Sequence, residues 1–596
     1  LSIDGWNEEQ SETQFQGAGS SHELASLLLT ETIQHSLHVS NLPIFALFLD
    51  AKSAFDRVLK EILVRNLFTA GTDDHRLLYI DQRLKKRRTF CEYDKQMMGP
   101  IFDTKGLEQG GIASSDKYKV YNNEQGTSAQ NSNLGVTVRG ITISSITLAD
   151  DTVLTSNSII NLYLLLHLTT QYCKKYRVEL VPDKTKLLVF SKNAESAEVE
   201  YAKLISPISL NGTEIIFSDQ AEHLGILRSV SAGNMPNIME RMSAHNKKLF
   251  SILPAGLSLH HHANPAACLR VEQLYALPVL LSGLSALLLT RHETDTISAC
   301  YKNTLQRLMK LHDRTPDCVV FFLAGSLPAT ALLHLRQLSL LSMICHLEGN
   351  TLKSVQTKIL IEAKPAATSW IQQVRDICVQ YQLPHPLQLF SSPMKKEKFK
   401  TICKQKVSEY WHEKLSHQAD LPSLTYLQPS FLSLSSPHPI YTSLDGNPYQ
   451  AKAARIQSLF LSGRYRSEEL CRFWSQNKNG FCLLDSCKDL HQRENIEHIL
   501  LHCDGLTEVR RRLVAFTRKV TDDKPVLKQI IESYLFSEDE ELRMQFLMDC
   551  SVLPLVISAH QEYGAIIHQD LFRVSRTWCR SVHVARLKAL GRYSKV

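Results

Sequence analysis

Two adjacent carboxylates, Asp150 and Asp151, sit in ITLADDTVL (146–154) between two apolar, β-prone runs. Strand runs broken by so short an acidic piece read as a tight β-hairpin. No lysine or arginine stands beside the two acids, an awkward arrangement unless a cation sits at the hairpin tip. Taken alone, Asp-Asp reads as a solvated turn. A third acid changes that reading. Asp50 ends IFALFL (44–49), a continuously apolar run of the kind that forms a strand covered on both faces. The carboxyl end of such a strand is where active sites of mixed α/β sheets collect. Asp50 and Asp150 would then come from neighbouring strands of one sheet. Carboxylates meeting across strands can hold two magnesium ions about 4 Å apart, stabilising both the attacking and the leaving oxygen in phosphoryl transfer. Magnesium binds few carboxylates and completes its shell with phosphate and water, so no large ligand cage need be visible.

A second constellation lies far downstream. Cys482, Cys487, His498 and Cys503 follow the pattern C-x4-C-x10-H-x4-C. Three thiolates and one imidazole suit tetrahedral zinc, and a helix can carry His498 and release Cys503 just beyond its end. Cys471, His491 and His502 are nearby substitutes, and unmetallated buried cysteines are the bland alternative. Fourteen cysteines in 596 residues do not form the dense pattern of a secreted disulfide scaffold, so reduced thiols are expected.

The elements that must position these groups follow from periodicity. Residues 14–37 open with a Gly/Ser loop in which Ser20 or Ser21 can cap a helix with Leu24, Leu27, Leu28, Ile33 and Leu37 on its apolar positions. After Asp50, Phe55 and Asp56 lead into a helix at 57–69. RLKKRR (83–88) is either a solvated helix face or a phosphate contact. Gln109-Gly110-Gly111 precedes a helix-like stretch with Tyr118 and Tyr121, and its glycines let a ligand approach the backbone. Past the acidic hairpin come an amphipathic helix (161–176), a strand–turn–strand around Lys184-Thr185 (178–191) and an Asn-Gly hairpin (208–217). Residues 231–345 read as helices. The uncharged run 273–290 reads as one buried helix, because Pro278 and Gly283 interrupt a length that barely reaches a membrane span. Two further apolar helices flank Gly325-Ser326-Leu327-Pro328. The Pro/Ser-rich stretches 383–400 and 421–450 read as linkers or extended surface segments. The tail, 541–596, reads as helical and basic, with Arg573, Arg576 and Arg580 on one face, either a phosphate-facing stripe or a solvated one.

Composition sets the frame. With 43% hydrophobic and 21% charged residues the chain is globular and long enough for several domains. A net charge of +7 permits a nucleic-acid partner without demanding one. No signal-peptide pattern opens the chain, and Leu1 in place of Met suggests an N-terminally truncated product.

The ordered set of motifs resembles the reverse transcriptase of non-LTR (LINE-type) retrotransposons. FLDAKSAFD (48–56) resembles the family's first catalytic motif, and GLEQGGIASSDKY (106–118) its QGG-x-x-S motif, with Gln109, Gly110, Gly111 and Ser114 in place. LADD (148–151) resembles its Y/F-A-D-D motif, PDKTK (182–186) its lysine motif and HLG (223–225) its primer-grip motif. The resemblance implies that Asp50, Asp150 and Asp151 bind two catalytic Mg2+ ions. It puts Phe55 at a steric gate that excludes a ribose 2′-hydroxyl, Gln109 and Gly110 against the incoming nucleotide and template base, and Lys184 near the triphosphate as a general acid. His223, Leu224 and Gly225 would position the primer end. Read without the family, Phe55 is a core side chain and Lys184 a turn lysine in water. SGRYR (462–466) and the Cys/His pattern resemble the family's knuckle, which would grip RNA or target DNA through Arg464, Arg466 and Arg472. There are departures: Leu148 replaces an aromatic, Ser115 a frequent Pro, Val181 a frequent Asn and His223 a Tyr. The family's upstream finger motifs have no counterpart before Gln14.

The expected fold is α+β: a right-hand polymerase palm with an antiparallel or mixed sheet and helices, then a helical thumb, a helical C-terminal region and a small zinc knuckle. The expected divisions are 1–40 (remnant of fingers), 41–220 (palm with part of fingers), 221–345 (primer grip and thumb), 346–460 (helices with linkers), 461–510 (knuckle) and 511–596 (basic helical region). The implied function is RNA-directed DNA polymerase activity in retrotransposition. RNA template, DNA primer or target and deoxynucleoside triphosphates are the partners, Mg2+ and Zn2+ the cofactors; no membrane is involved, and an intracellular, nuclear location follows by analogy. The alternative is a catalytically inactive remnant that only binds nucleic acid. Residues 504–596 contain no convincing grouping of nuclease acids; Asp522-Asp523-Lys524 is too little.

Overall fold

The computed structural model describes residues 22–592 except 109, 110, 112, 149, 193–198, 200–202, 204–207, 211, 216, 253–262, 348, 363–367, 474–478, 489 and 490. Ser20, Ser21, Gln109 and Gly110 therefore lie outside the described residues. The chain divides into two compact units. The first takes in the chain up to Glu240 with Leu281–Glu293 and Leu333–Lys404, the second Arg241–Leu280, Thr294–Leu332 and Gln405–Val596. Residues 221–345 contribute to both.

Among the described residues the strands all lie in the first unit. They are β1 (Ile44–Leu49), β2 (Arg88–Tyr93), β3 (Gln96–Phe102), β4 (Val136–Val138), β5 (Ile141–Ile143), β6 (Ser145–Leu148), β7 (Asp151–Ser156), β8 (Lys186–Phe190), β9 (Ile208–Leu210), β10 (Thr213–Ile215), β11 (Gln220–His223) and β12 (Ile226–Ser229). Four of them make one sheet in the order β6-β7-β1-β8, with every pairing antiparallel. β1 is central and buried along its whole length, which explains why it reads as an unbroken apolar run. Helices Ile159–Tyr176, Ser114–Asn131 and Lys60–Thr69 supply the core beside this sheet, among them Leu162, Tyr118, Tyr121 and Leu63. The remaining strands form four separate two-stranded hairpins, including the expected Asn-Gly hairpin β9–β10.

The helix that precedes β1, His22–His35, is fully engaged. Arg228 of β12 is buried against it and donates to the Ser26 carbonyl and to the hydroxyls of Ser26 and Thr30. Glu31, also buried, accepts the backbone N–H of Trp370, whose indole donates to the Ser285 carbonyl at 2.7 Å.

The second unit is helical. Its terminal helix, Ala565–Ala589, packs on Pro448–Leu461, Thr507–Thr521 and Glu540–Met548. Arg576 of this helix is not part of a phosphate-facing stripe. It is buried and donates to the Ile440 and Ser443 carbonyls, the Ser443 hydroxyl and the Gln450 amide oxygen. A spacing of i, i+3, i+7 identifies a helix face but not what covers it.

Two further expectations are corrected. The run 273–290 is not one helix. A wide turn at Glu272–Ala276 leads to a short helix, Leu277–Leu280, and Gly283 then turns the chain in the left-handed region, with φ 72°. A side chain there would collide with Ile226, since a Cβ would stand 2.7 Å from its Cγ1. Nor is 421–450 a loose linker. Leu424, Leu427, Leu432, Leu434, Ile440 and Tyr441 are all buried, and the neighbouring stretch 383–400 contains the helix Pro386–Ser391 and the start of Lys396–Gln418. Among the described residues no single helix is long and apolar enough to cross a membrane.

Candidate active site and metal centre

The acidic hairpin forms as its sequence implies. Leu148 of β6 pairs with Asp151 of β7, and Asp150 stands in the turn between them. β7 in turn pairs with β1, Leu49 opposite Thr152. One step further along this ladder Asp50 comes level with Asp151, and side chains level across an antiparallel pair share a face. The backbone of Asp50 is held from the other side, where its carbonyl accepts the N–H of Val181 at 2.9 Å and the next residue bridges to Leu180. β-pairing thus brings Asp50 to a pair of adjacent acids about a hundred residues further along the chain.

Asp50 and Asp151 line a cleft of about 490 Å³ with Asp183, Lys184, Glu222 and Gly225. Burial, together with the charges of Asp150, Asp50 and Glu222, pushes the Asp151 carboxyl up to about 6. Asp150 is likewise raised, first by burial and then by Asp50, with Lys184 opposing. Crowded carboxylates that resist ionising are a site that a divalent cation would relieve, and hard oxygen donors fit magnesium. The ammonium of Lys184 supplies part of that charge, 3.2 Å from the Asp50 carboxylate. The motif lysine thus stands at the acids themselves, on a side chain that is 68% exposed and so able to swing.

The aromatic residue of the first motif is half-buried. Phe55 stacks on Tyr118, with ring centroids 4.6 Å apart and planes at 23°. Burial and then the charge of Asp150 push the Tyr118 hydroxyl up, so the stacked pair lies within the field of the acidic turn. The sequence singled out Tyr118 as helical but not its stacking on Phe55. In the glycine motif, Gly111 faces the buried Ser114. A Cβ at 111 would stand 2.6 Å from the serine Oγ, while Ser114 N–H donates to the Gly111 carbonyl at 2.9 Å. The pair explains the glycine–serine spacing as local packing at the start of helix Ser114–Asn131.

β11 and β12 form the hairpin of the HLG motif. His223 pairs with Ile226, and Leu224 and Gly225 occupy the two turn positions with φ of 53° and 73°. Both are left-handed, the backbone of a tight hairpin turn that suits glycine and strains leucine. His223 packs edge-on against Phe48 of β1, 5.9 Å between centroids, which ties the turn to the strand that carries Asp50. Burial, with help from Arg228, pushes the His223 ring down to about 3, so it is neutral. Glu222, exposed beside it, lines the acidic cleft and was not singled out from sequence; strand alternation next to the motif histidine is the signal that could have found it.

Residues 12–226 match the family described as reverse transcriptase (RNA-dependent DNA polymerase). The reverse transcriptase match covers the sheet, all three acids, the glycine motif, Lys184 and the Leu224–Gly225 turn. It implies RNA-directed DNA polymerase activity in general terms, with a nucleic-acid template and primer and nucleotide substrates. A comparison with curated proteins gives no match.

The Cys/His residues converge in the second unit. Donor atoms of Cys482, Cys487, His498 and Cys503 all lie within 4.8 Å of one another, and all four side chains are buried. Cys487 sits on the short helix Asp485–Lys488. His498 opens a helical turn, His498–His502, and Cys503 follows directly, its N–H on the His498 carbonyl at 2.7 Å. The buried Nε2 of His498 has no hydrogen-bond partner, an orphan that a metal would satisfy. Cys482 and Cys503 lie 3.9 Å apart. The hydrogen bond from Cys503 draws Cys482 down to about 4, and the same contact with burial pushes Cys503 up. Thiols this close cannot all ionise without a cation between them, so the donor set fits zinc. Of the substitutes, His502 points instead at Glu540, 3.2 Å away, and Cys471 and His491 are outside the cluster. The module is anchored through Glu494, which is buried, accepts Nε and Nη2 of Arg586 at 2.9 and 2.6 Å and caps the N–H of Glu468. Arg472 lies over the ring of Phe473 at 4.8 Å.

Proposed function

We propose that this chain is the RNA-directed DNA polymerase of a non-LTR retrotransposon, extending a primer 3′-hydroxyl with deoxynucleotides on an RNA template during retrotransposition in the nucleus. One observation carries the reading: β-pairing sets Asp50 level with Asp151, both lining one open acidic cleft, and puts Asp150 on the adjoining turn. Two magnesium ions held by Asp50, Asp150 and Asp151 would supply the positive charge that attack of the hydroxyl on the α-phosphate and loss of pyrophosphate require. Lys184 reaches the Asp50 carboxylate on an exposed side chain, and from there can meet the triphosphate and hand a proton to the leaving pyrophosphate. Phe55, backed by Tyr118, narrows the site where a ribose 2′-hydroxyl would lie. Gln109 and Gly110 lie against nucleotide and template by family analogy, and the Leu224–Gly225 turn, seated on β1 through His223, positions the primer end. Zinc on Cys482, Cys487, His498 and Cys503 would stabilise a knuckle that holds RNA or target DNA.

Primer extension tests this reading. On a poly(rA) template with an oligo(dT) primer, dTTP and magnesium, the parent protein extends the primer and Asp150→Ala does not. No product from a parent protein that still binds nucleic acid would assign the chain to an inactive, nucleic-acid-binding role. Equal product from both would refute the metal assignment.

A further inference from the structure

A groove in the first unit is apolar inside and cationic along one rim. It runs between the helix Ala329–Cys345 and the start of the helix Lys396–Gln418, and its volume is about 300 Å³. One wall is Leu335, Leu338, Ser339, Ser342 and Met343. Their spacing of i, i+3, i+4, i+7 and i+8 is that of a single helix face. The other wall repeats with each turn of its helix. Phe399 and Cys403 are followed in the chain by Lys400 and Lys404, and Lys396 begins the same row of lysines. Leu338, Phe399 and Cys403 are buried, whereas Lys396, Lys400 and Lys404 are all exposed.

Polar groups of this groove lack partners. Among the described residues no carboxylate forms an ion pair with Lys396, Lys400 or Lys404. Glu397 is the one acid that lines the groove, and it stands in the first turn of its helix, where the helix dipole favours a negative charge. The Oγ of Ser342 is buried without a hydrogen-bond partner, a donor that an incoming carboxylate would satisfy. Lysine stems extend an apolar wall while their ammonium groups stay in water, so the row of lysines serves both the inside of the groove and its rim.

We propose that this groove docks an acidic amphipathic helix of a partner protein. Aliphatic side chains spaced i, i+3 or i+4, and i+7 on that helix enter between the two walls, and the glutamates or aspartates beside them meet the lysines. From Lys396 to Lys404 the row extends about 12 Å, a little over two turns of a partner helix. Charge and shape together select this occupant. Three unpaired cations in a row call for serial acids, and an apolar interior between two helices calls for aliphatic side chains, which a phosphodiester backbone lacks. No residue of the groove lines the acidic cleft, so the docking role stands apart from the polymerase reading.

Fluorescence anisotropy on the full-length chain tests the groove. The probe is a labelled helical peptide of glutamate and leucine with its leucines at i, i+3, i+4 and i+7, set against a peptide of the same composition whose leucines are scattered around the helix. The amphipathic peptide should bind at least about tenfold more tightly than the scattered one. Ser339→Trp fills the groove from an exposed position without changing charge, and should weaken the amphipathic peptide at least about tenfold. Lys396→Glu/Lys400→Glu should do the same at low salt, with a loss that shrinks as salt rises. Lys519→Glu/Lys528→Glu makes the same change of charge at exposed lysines outside the groove, and should leave affinity within about twofold. Equal binding of the two peptides, or full affinity in Ser339→Trp, would reduce the effect to charge alone and overturn the proposal, as would equal weakening in both lysine variants. A labelled oligonucleotide that Lys396→Glu/Lys400→Glu no longer binds, with peptide affinity intact, would overturn it in favour of a nucleic-acid surface.

Discussion

The ammonium of Lys184 lies 3.2 Å from the carboxylate of Asp50, across the cleft that Asp151 also lines. With side chains 68% and 34% exposed, this ion pair adds little to stability. Its consequence is competition, because a cation bound to Asp50 must displace the lysine. Lys184→Ala should therefore lower the magnesium concentration that half-saturates the site, read by metal titration, while slowing primer extension at least about tenfold through loss of the proton donor. An unchanged metal midpoint would show that the pair does not compete with the metal.

The stacked pair Phe55–Tyr118 gives a second outcome. Cutting Phe55 back to alanine opens space beside the acids without touching them. Phe55→Ala should raise the ratio of ribonucleotide to deoxynucleotide incorporation at least about tenfold, roughly 1.4 kcal/mol of lost discrimination. Tyr118 keeps the remaining wall, so deoxynucleotide extension should persist. Selectivity that does not move would return Phe55 to an ordinary packing role.

The Cys/His cluster makes a third. Zinc should be present at about one per chain and should fall by more than half in Cys482→Ser, whereas Cys471→Ser, outside the cluster, should retain it. Chelation should lower the unfolding midpoint of the parent and leave that of Cys482→Ser unmoved. Equal zinc in all three proteins would mean that the metal sits elsewhere.

Which of these sites were legible in the sequence follows from how local their signals are. Asp50 and Asp150 could be read because each ends an apolar strand run, and strands that end in acids can meet only along a sheet. The convergence of Cys482, Cys487, His498 and Cys503 could be read from spacing, because the His498 turn sets where Cys503 emerges. Non-local relationships were invisible. Nothing near Lys184 in sequence names Asp50 as its partner. Arg576 looked like a surface arginine because periodicity reports a face but not the helix Pro448–Leu461 that supplies Gln450 to it. The 421–450 stretch looked like a linker because Pro and Ser suppress regular structure, yet its leucines pack without needing any.

Glu31 supplies a test of the fold itself through pH. Burial pushes its carboxyl from the ordinary 4.5 up to about 8, against the smaller opposing effect of the Trp370 N–H. The folded chain therefore keeps a proton that the unfolded chain releases. Below about 4.5 both forms are protonated and the contribution to stability is complete; it declines as pH rises and is gone once the pH passes about 8. The slope within that window approaches about 1.4 kcal/mol per pH unit for one group. Glu31→Gln keeps the acceptor for Trp370 and removes the titration. The stability of the parent relative to Glu31→Gln, from denaturant midpoints, should fall steadily between pH 5 and 8, and the variant should be the more stable protein at pH 8. Parallel curves for the two would show that Glu31 is ionised and solvated in the folded protein, and that the helix His22–His35 does not pack as described.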